Sequence, residues 1–328
     1  MKLSICIIII ILAFCSPPSF AQNRSGITHI QDTSYTNLSS LRSIAKNYPN
    51  AYIREADKDL KYKSWYNEIY SKQGKLKLTI DAFAPSHPKS NLHPAIIFIH
   101  GGGWRTGNKS QHHALAKMLT ARGYVVFTPA YRLSTQALYP AAVIDVKNSI
   151  KWVKKKWKKW NIDTTKMAIA GFSAGGQLAA LTGVTPDDLI YQDKLNWKKN
   201  SSRVQAIIDI DGILAFIHPE SGEGDDRKST SAATYFFGYS KSENPTLWNE
   251  GSALYHVTAD DPPILFLNSS IERMHAGRTD FIEKYSNHGI YADYYTFNDA
   301  PHVFPLMFPW FDDTLDRMDK FLQKVFKK

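Results

Sequence analysis

Cysteine is almost absent from this chain of 328 residues. Its two cysteines, Cys6 and Cys15, both lie near the amino terminus, so no later segment can supply a disulfide bond or a thiolate metal ligand. Residues 220–226 are acidic but lack the ordered ligand spacing of a calcium loop, so we expect no bound metal. Stability must then come from an ordinary hydrophobic core, which a chain of this length can bury.

Long hydrophobic runs are equally scarce. The longest, residues 5–14, follows Lys2, is too short to span a bilayer and precedes small residues that end at Ala21. This pattern predicts a signal peptide at residues 1–21 and export to the periplasm or the cell exterior. A lipid anchor on Cys15 is the alternative, which the preceding phenylalanine disfavours. No later segment reaches spanning length, so we expect no stable membrane insertion.

Basic residues outnumber acidic ones, and the formal net charge is +10 at pH 7. Such a surface attracts anionic polymers, for example a uronic-acid polysaccharide, although it serves solubility equally well. The most basic segment, residues 151–160, interleaves lysine with tryptophan. Its tryptophans recur at helical spacing, so we interpret it as an amphipathic helix with a solvated lysine face and expect no nucleic-acid partner.

Short apolar runs alternate with helical patterns along the chain. This alternation predicts an α/β fold with a mostly parallel sheet and helices on both faces. The predicted strands cover residues 76–83, 95–100, 125–129, 167–171, 204–210, 263–268 and 292–297. The predicted helices cover residues 112–122, 141–160, 175–182, 279–287 and 311–327.

The domain organisation follows from the same patterns. Residues 22–60 are polar and poorly patterned, which predicts an irregular N-terminal arm. Residues 61–328 are expected to form a single catalytic domain. Within it, residues 213–258 interrupt the alternation of strands and helices, and long insertions of this kind often form a cap or a wall beside a site.

A glycine-flanked serine marks the first chemical motif. Residues 171–175 read G-F-S-A-G, after an apolar run and before a helical pattern. This is the strand–turn–helix context of a nucleophile elbow, so Ser173 is the predicted nucleophile. The alternative interpretation is a serine that only caps a helix.

A glycine triplet lies upstream, directly after another predicted strand, where residues 100–104 read H-G-G-G-W. Backbone N–H groups in such a turn can point at one atom and stabilise an oxyanion. The sequence here resembles the HGGG-type esterase and lipase branch of the α/β-hydrolases, and residues 100–110 resemble bacterial acetyl-xylan, feruloyl and pectin acetyl esterases. The resemblance implies an α/β-hydrolase fold and an oxyanion hole formed by Gly102, Gly103 and Ala174. Trp104 either lines the pocket or belongs to the core.

The general base is expected late in the chain, since this fold orders its triad serine, acid, histidine. His302 follows the last predicted strand and precedes the final helix, and it is the predicted base. His275 is the other histidine to consider.

The acid of the triad has three candidates. In relatives it follows the strand that here covers residues 263–268, and by position Glu272 is our first choice. Asp211, after the preceding strand, is the second, and Asp280 is the third. Arg273 is a candidate for contact with an anionic substrate.

Together these features predict a secreted serine esterase of carboxylic esters that needs no cofactor. The resemblance favours deacetylation of plant cell-wall polysaccharide, pectin or xylan, or of its oligosaccharides, so the expected partner is an acylated saccharide or another small ester. A lipid or small-molecule carboxylesterase is the first alternative. A catalytically silent binding protein on the same fold is the second. The oligomeric state stays open.

Overall fold

The computed structural model describes residues 21–86, 92–192 and 201–327. The predicted signal peptide, residues 1–21, lies outside the described residues except for its last residue. Both cysteines lie outside them as well.

An eight-stranded sheet forms the centre of the molecule. Its strands are β2 (Tyr62–Gln73), β3 (Leu76–Pro85), β4 (His93–Ile99), β5 (Val125–Pro129), β6 (Ile162–Phe172), β7 (Ala206–Ile210), β8 (Ile264–Asn268) and β9 (Ala292–Thr296). Their spatial order is β2-β3-β5-β4-β6-β7-β8-β9. The neighbours from β5 to β9 pair in parallel, whereas β3 is antiparallel to both β2 and β5.

The central strands are apolar because both of their faces are covered. All five residues of β7 and of β8 are buried, as expected for parallel strands between two layers of helices. One buried cluster lies between the sheet and the helices α3, α5 and α8. The other lies between the opposite face and α2 and α9. The prediction of a mostly parallel sheet with helices on both faces is therefore confirmed.

The helices of the described residues include counterparts of all five predicted ones and three that were not predicted, Asn37–Ile44, Ala232–Phe237 and Pro245–Glu250. They are α1 (Asn37–Ile44), α2 (His113–Ala121), α3 (Ala141–Lys155), α4 (Trp157–Trp160), α5 (Ala174–Val184), α6 (Ala232–Phe237), α7 (Pro245–Glu250), α8 (Arg278–Asn287) and α9 (Trp310–Phe326). The one predicted helix over residues 141–160 is broken at Lys156 into α3 and α4.

Two regions differ from the sequence-based expectation. The strand β2 is not among the predicted strands because it is an edge strand with two irregularities of register, so its sequence does not alternate cleanly. The segment 22–60 is not wholly irregular, since it contains α1 and the short strand β1 (Tyr52–Ile53), which pairs with β10 (Met307–Phe308). A reciprocal pair of hydrogen bonds between Thr36 and Ser39 caps the first turn of α1, a local signal that composition does not reveal.

The insertion, residues 213–258, packs into the core. It contains α6, α7 and a 3-10 turn, Ala253–His256, and its aromatic residues Phe236, Phe237 and Trp248 are buried. The insertion also borders the glycine triplet, because a Cβ built at Gly103 would lie 3.2 Å from the Cβ of Ala232. It therefore forms a wall beside that turn.

Two histidines are buried below the glycine triplet. Burial lowers the pKa of His100 to about 4 and lowers the pKa of His112 well below its usual value. The ring of His112 stacks on Phe98 with ring centroids 4.4 Å apart, and within the described part of the chain neither of its nitrogens has a hydrogen-bond partner. The fold therefore requires both rings to be neutral.

This requirement predicts a loss of stability in mild acid. The unfolded chain protonates these histidines near pH 6.5, whereas the folded chain keeps His100 neutral down to about pH 4. Below pH 6.5 the unfolded state binds more protons, so the free energy of unfolding falls by up to about 1.4 kcal/mol per pH unit for each histidine. Urea unfolding between pH 7 and pH 4 measures the slope. His112→Phe should reduce that slope, and an unchanged slope would contradict this account.

Candidate active site

Ser173 occupies a strained turn between β6 and α5. Its φ is 58° and its ψ is −124°, a conformation that few residues other than glycine adopt. The flanking glycines are required by close approach, because a Cβ at Gly171 would lie 1.9 Å from the carbonyl oxygen of Gly175. A Cβ at Gly175 would lie 2.3 Å from the carbonyl oxygen of Ile99 in β4. The turn therefore projects Ser173 at the carboxyl edge of the sheet.

His302 connects this serine to a carboxylate. Its Nε2 lies 2.8 Å from Ser173 Oγ, and its Nδ1 lies 2.8 Å from Asp211 Oδ2. The Asp211 side chain is fully buried, whereas 22% of the His302 side chain is exposed. The ring of Phe172 packs against the imidazole with ring centroids 4.8 Å apart. One face of the histidine is thus supported by the protein, and about a fifth of its side chain stays exposed.

Asp211 is held in place by backbone groups on both sides. It follows β7 directly, with φ at 52°, and its Oδ1 accepts a hydrogen bond from Ser269 N–H at 2.8 Å. Its own N–H donates to the carbonyl oxygen of Leu267 in β8 at 2.9 Å. Only Oδ2 is left for the imidazole. Such a carboxylate can hold the histidine in one tautomer and stabilise its cation.

The structure corrects the first choice of acid. Glu272 is exposed and opens the 3-10 turn Glu272–His275, and Asp280 lies 3.4 Å from His218 Nε2, so neither carboxylate is the one beside His302. Asp211, the second choice, takes that position. The reason is that β7 and β8 are neighbours, so a side chain at the end of either strand can reach the same imidazole. His275 lies in that 3-10 turn and is not the histidine bonded to Ser173.

Asp209 is a residue that the sequence reasoning did not select. Its side chain is buried within β7, and burial raises its pKa well above the usual value. Its Oδ1 accepts a hydrogen bond from Gly212 N–H at 2.8 Å, which closes the turn that carries Asp211. A Cβ at Gly212 would lie 2.4 Å from that oxygen, so the turn needs glycine there. The pattern Asp-x-Asp-Gly at the end of a buried strand was the sequence signal that could have identified Asp209.

The glycine triplet provides backbone donors near Ser173. Gly102 has φ 124° and Gly103 has φ 57°, both in the region that favours glycine. The turn is closed by Arg105 N–H and Thr106 N–H, which donate to the carbonyl oxygen of Gly102 at 3.1 and 3.0 Å. Within the described ranges, the N–H groups of Gly102 and Gly103 donate to no backbone carbonyl oxygen in a turn or loop. Ala174 begins α5, so its N–H has no partner within the helix and can bind an anion.

Trp104 belongs to the core. It is 4% exposed, and its indole stacks on Phe236 with ring centroids 5.3 Å apart. Its Nε1–H donates to Gln177 Oε1 at 2.8 Å, and Gln177 Nε2–H donates to the carbonyl oxygen of Gly251 at 2.8 Å. Gln177 therefore joins the glycine triplet, the helix of Ser173 and the insertion. Arg273, in contrast, is exposed.

In residues 21–86, 92–192 and 201–327, no three histidine, cysteine, aspartate or glutamate side chains cluster as metal ligands would. In the same residues, no helix combines the length and apolarity needed to cross a bilayer.

Fold and site together define the class of protein. A parallel sheet, a serine on a strand–turn–helix and a histidine late in the chain are the features of the α/β-hydrolase fold. Within that class, residues 80–274 match the BD-FAE family, and because this is more than half of the chain, the protein belongs to that family.

Relatives and solved structures agree with this assignment. Esterase LipC of Mycobacterium tuberculosis is 30% identical over 185 residues, which cover 54% of this chain and 44% of LipC. The probable carboxylic ester hydrolase LipM of the same organism is 31% identical over 182 residues, which cover 53% of this chain and 40% of LipM. The chain thus matches less than half the length of these relatives.

Among solved structures, a truncated carbohydrate esterase from gut microbiota aligns over 84% of this chain and 100% of its own, with TM-score 0.70 and 24% identity. Esterase 2 of Thermogutta terrifontis, in its apo form, aligns over 85% of this chain and 97% of its own, with TM-score 0.66 and 24% identity. At these identities the likeness establishes the shared fold.

The link through Gln177 predicts a measurable coupling. Gln177→Met leaves the Trp104 indole N–H and a buried carbonyl oxygen unsatisfied, so it should lower the free energy of unfolding by about 3 kcal/mol. Trp104→Phe should also destabilise, and the double variant should lose about 1 kcal/mol less than the sum of the single losses. Urea unfolding measures all three. As a control, Gln323→Met on the exposed face of α9 should change stability by less than about 0.5 kcal/mol. Additive single losses would contradict the coupling.

Proposed function

We propose that the protein is a serine esterase that hydrolyses carboxylic esters. The observation that carries this proposal is the hydrogen-bonded series Ser173, His302 and Asp211, with both distances at 2.8 Å. The same series stands beside three backbone N–H groups that can receive an oxyanion. The names of LipC and LipM, an esterase and a probable carboxylic ester hydrolase, support the same reaction type.

The proposed reaction has two steps. His302 Nε2 takes the proton of Ser173 Oγ as the oxygen attacks the ester carbonyl carbon, and Asp211 stabilises the imidazolium that forms. The negative charge on the former carbonyl oxygen is held by the N–H groups of Gly102, Gly103 and Ala174. His302 then gives its proton to the departing alcohol. Water, activated by the same histidine, attacks the acyl-serine, and the acid leaves as Ser173 regains its proton.

We further propose that the substrate is an acylated saccharide, with acetyl as the acyl group and pectin or xylan as the source. The chain's fold likeness to a protein described as a carbohydrate esterase supports a saccharide substrate. The basic charge of the chain would in addition attract an acidic polymer such as pectin. We also propose that residues 1–21 direct export, which would bring the enzyme to such polymers. A lipid or small-molecule carboxylesterase is the alternative.

Acetate release tests the function. The mature chain, residues 22–328, is incubated with acetylated xylan, acetylated pectin and an aryl acetate, beside Ser173→Ala. We expect acetate from at least one polymer and from the aryl ester, and a loss of at least about a thousandfold in Ser173→Ala, because the variant has no nucleophile. Turnover of the aryl ester alone would point to a different natural ester. A folded wild-type protein without any turnover would favour the silent binding protein.

The triad acid has its own test. Asp211→Asn should lower kcat by about ten thousandfold, because the amide no longer holds the reactive tautomer of His302 or stabilises its cation. Glu272→Gln and Asp280→Asn are matched controls at the two other candidate acids. Each should leave kcat within about threefold, as exposed substitutions usually do. Initial rates with an aryl acetate give kcat for each variant. Equal losses of kcat in Asp211→Asn and Glu272→Gln would contradict the assignment of Asp211 as the triad acid.

A further inference from the structure

The insertion carries an acidic loop, residues 220–226, in an otherwise basic chain. The loop lies close to the site. A Cβ built at Gly222 would lie 3.3 Å from Cδ of Arg273, and the helix that follows the loop begins at Ala232, beside Gly103. The loop holds four carboxylates, those of Glu220, Glu223, Asp225 and Asp226. Their hydrogen bonds show what each one does.

Three of the four carboxylates have structural partners. Glu220 Oε2 accepts a hydrogen bond from the backbone N–H of Gly277 at 3.0 Å. Asp225 pairs with Arg227 at 2.6 Å. Asp226 accepts hydrogen bonds from the N–H of Ser231 and the hydroxyl of Thr234, which anchor the start of α6. These three side chains are explained by the local fold.

Glu223 is the exception. Within residues 21–86, 92–192 and 201–327, no hydrogen bond or ion pair ends on its carboxylate, although the side chain is half-buried. Burial raises the pKa of this carboxyl group, while the nearby Arg273 and His302 lower it. The carboxylate therefore lies close enough to the His302 imidazole for the two groups to interact electrostatically. A half-buried carboxylate without donors gains free energy from any ligand that brings hydroxyl groups to it.

The backbone around Glu223 holds the side chain at this place. Its N–H donates to Ser221 Oγ at 3.2 Å, and Lys241 Nζ donates to its carbonyl oxygen at 3.3 Å. The next residue, Gly224, has φ 74°, and a Cβ there would lie 2.7 Å from the indole of Trp248. The carboxylate is thus presented by a loop that is fixed on both sides.

We propose that Glu223 is a substrate-binding residue that accepts hydrogen bonds from hydroxyl groups of a neutral sugar ring whose acyl ester is placed at Ser173. A ring hydroxyl supplies the donor that the protein itself does not provide. An anionic ring would instead place a second negative charge beside Glu223, so this carboxylate favours neutral acyl-sugars over uronates, while the positive charge of the nearby Arg273 offsets part of that preference. This inference rests on the proposed esterase function and narrows its substrate class.

The test compares one charge-removing variant with a matched control in the same loop. Glu223→Gln and Asp225→Asn each remove one negative charge, but Asp225 is exposed and already paired with Arg227. Three substrates are used: acetylated xylo-oligosaccharides, acetylated galacturonate oligosaccharides and 4-nitrophenyl acetate, which has no hydroxyl group. kcat/KM is measured for the wild-type chain and both variants, and thermal unfolding checks that each is folded.

We expect Glu223→Gln to lower kcat/KM about tenfold on the xylo-oligosaccharides, the size of a lost charge-assisted hydrogen bond, with less than about twofold change on 4-nitrophenyl acetate. In Glu223→Gln, the ratio of kcat/KM for the xylo-oligosaccharides to kcat/KM for the galacturonate oligosaccharides should be smaller than in the wild-type chain. Asp225→Asn should have the wild-type ratio. An equal loss on all three substrates, or a wild-type preference for galacturonate esters, would overturn the inference. If the wild-type chain turns over none of the three esters, the proposed esterase function fails first.

Discussion

The close approach of three backbones at Ser173 is the constraint on which the site depends. The strand β6 turns into α5 so tightly that Cβ atoms at Gly171 or Gly175 would overlap carbonyl oxygens of the turn itself and of β4. The same packing sets Ala174 N–H at the start of α5, next to the glycine triplet that follows β4. The positive φ of Ser173 is tolerated because the neighbouring strands determine the path of the chain.

The carboxylate beside His302 illustrates how parallel strands allow alternative solutions. The ends of β7 and β8 are adjacent, so a carboxylate that follows either strand can lie beside the imidazole, and in this chain it follows β7. The turn at β7 then needs its own support, which Asp209 provides through the N–H of Gly212. Burial of the Asp209 carboxyl group, which raises its pKa, costs folding free energy. Because Asp209 precedes Asp211 by two residues and supports its turn, that cost accompanies the placement of the triad acid.

The insertion contributes to the site in two ways. Its buried aromatic residues extend the core, and Gln177 ties Gly251 to Trp104, so the insertion, α5 and the glycine triplet form one packed unit. Its acidic loop lies at the edge of that unit and presents Glu223 near His302. A basic chain therefore has a locally acidic border at its site, and net charge alone does not describe what a substrate meets.

The sequence by itself determined the seven predicted strands and the turn at Ser173, because strand composition and glycine spacing are local properties of the chain. It also indicated the pairing with His302, because the order of the triad residues along the chain is a property of this fold. Only the tertiary structure identified the triad acid. Glu272 and Asp211 each follow a strand of the sheet, and the packing of the strand ends places Asp211 beside the imidazole. The tertiary structure also decided the edge strand β2, the buried position of Trp104 and its link to Gln177. Each of these depends on hydrogen bonds or packing between residues far apart in sequence, which periodicity and motif spacing do not encode.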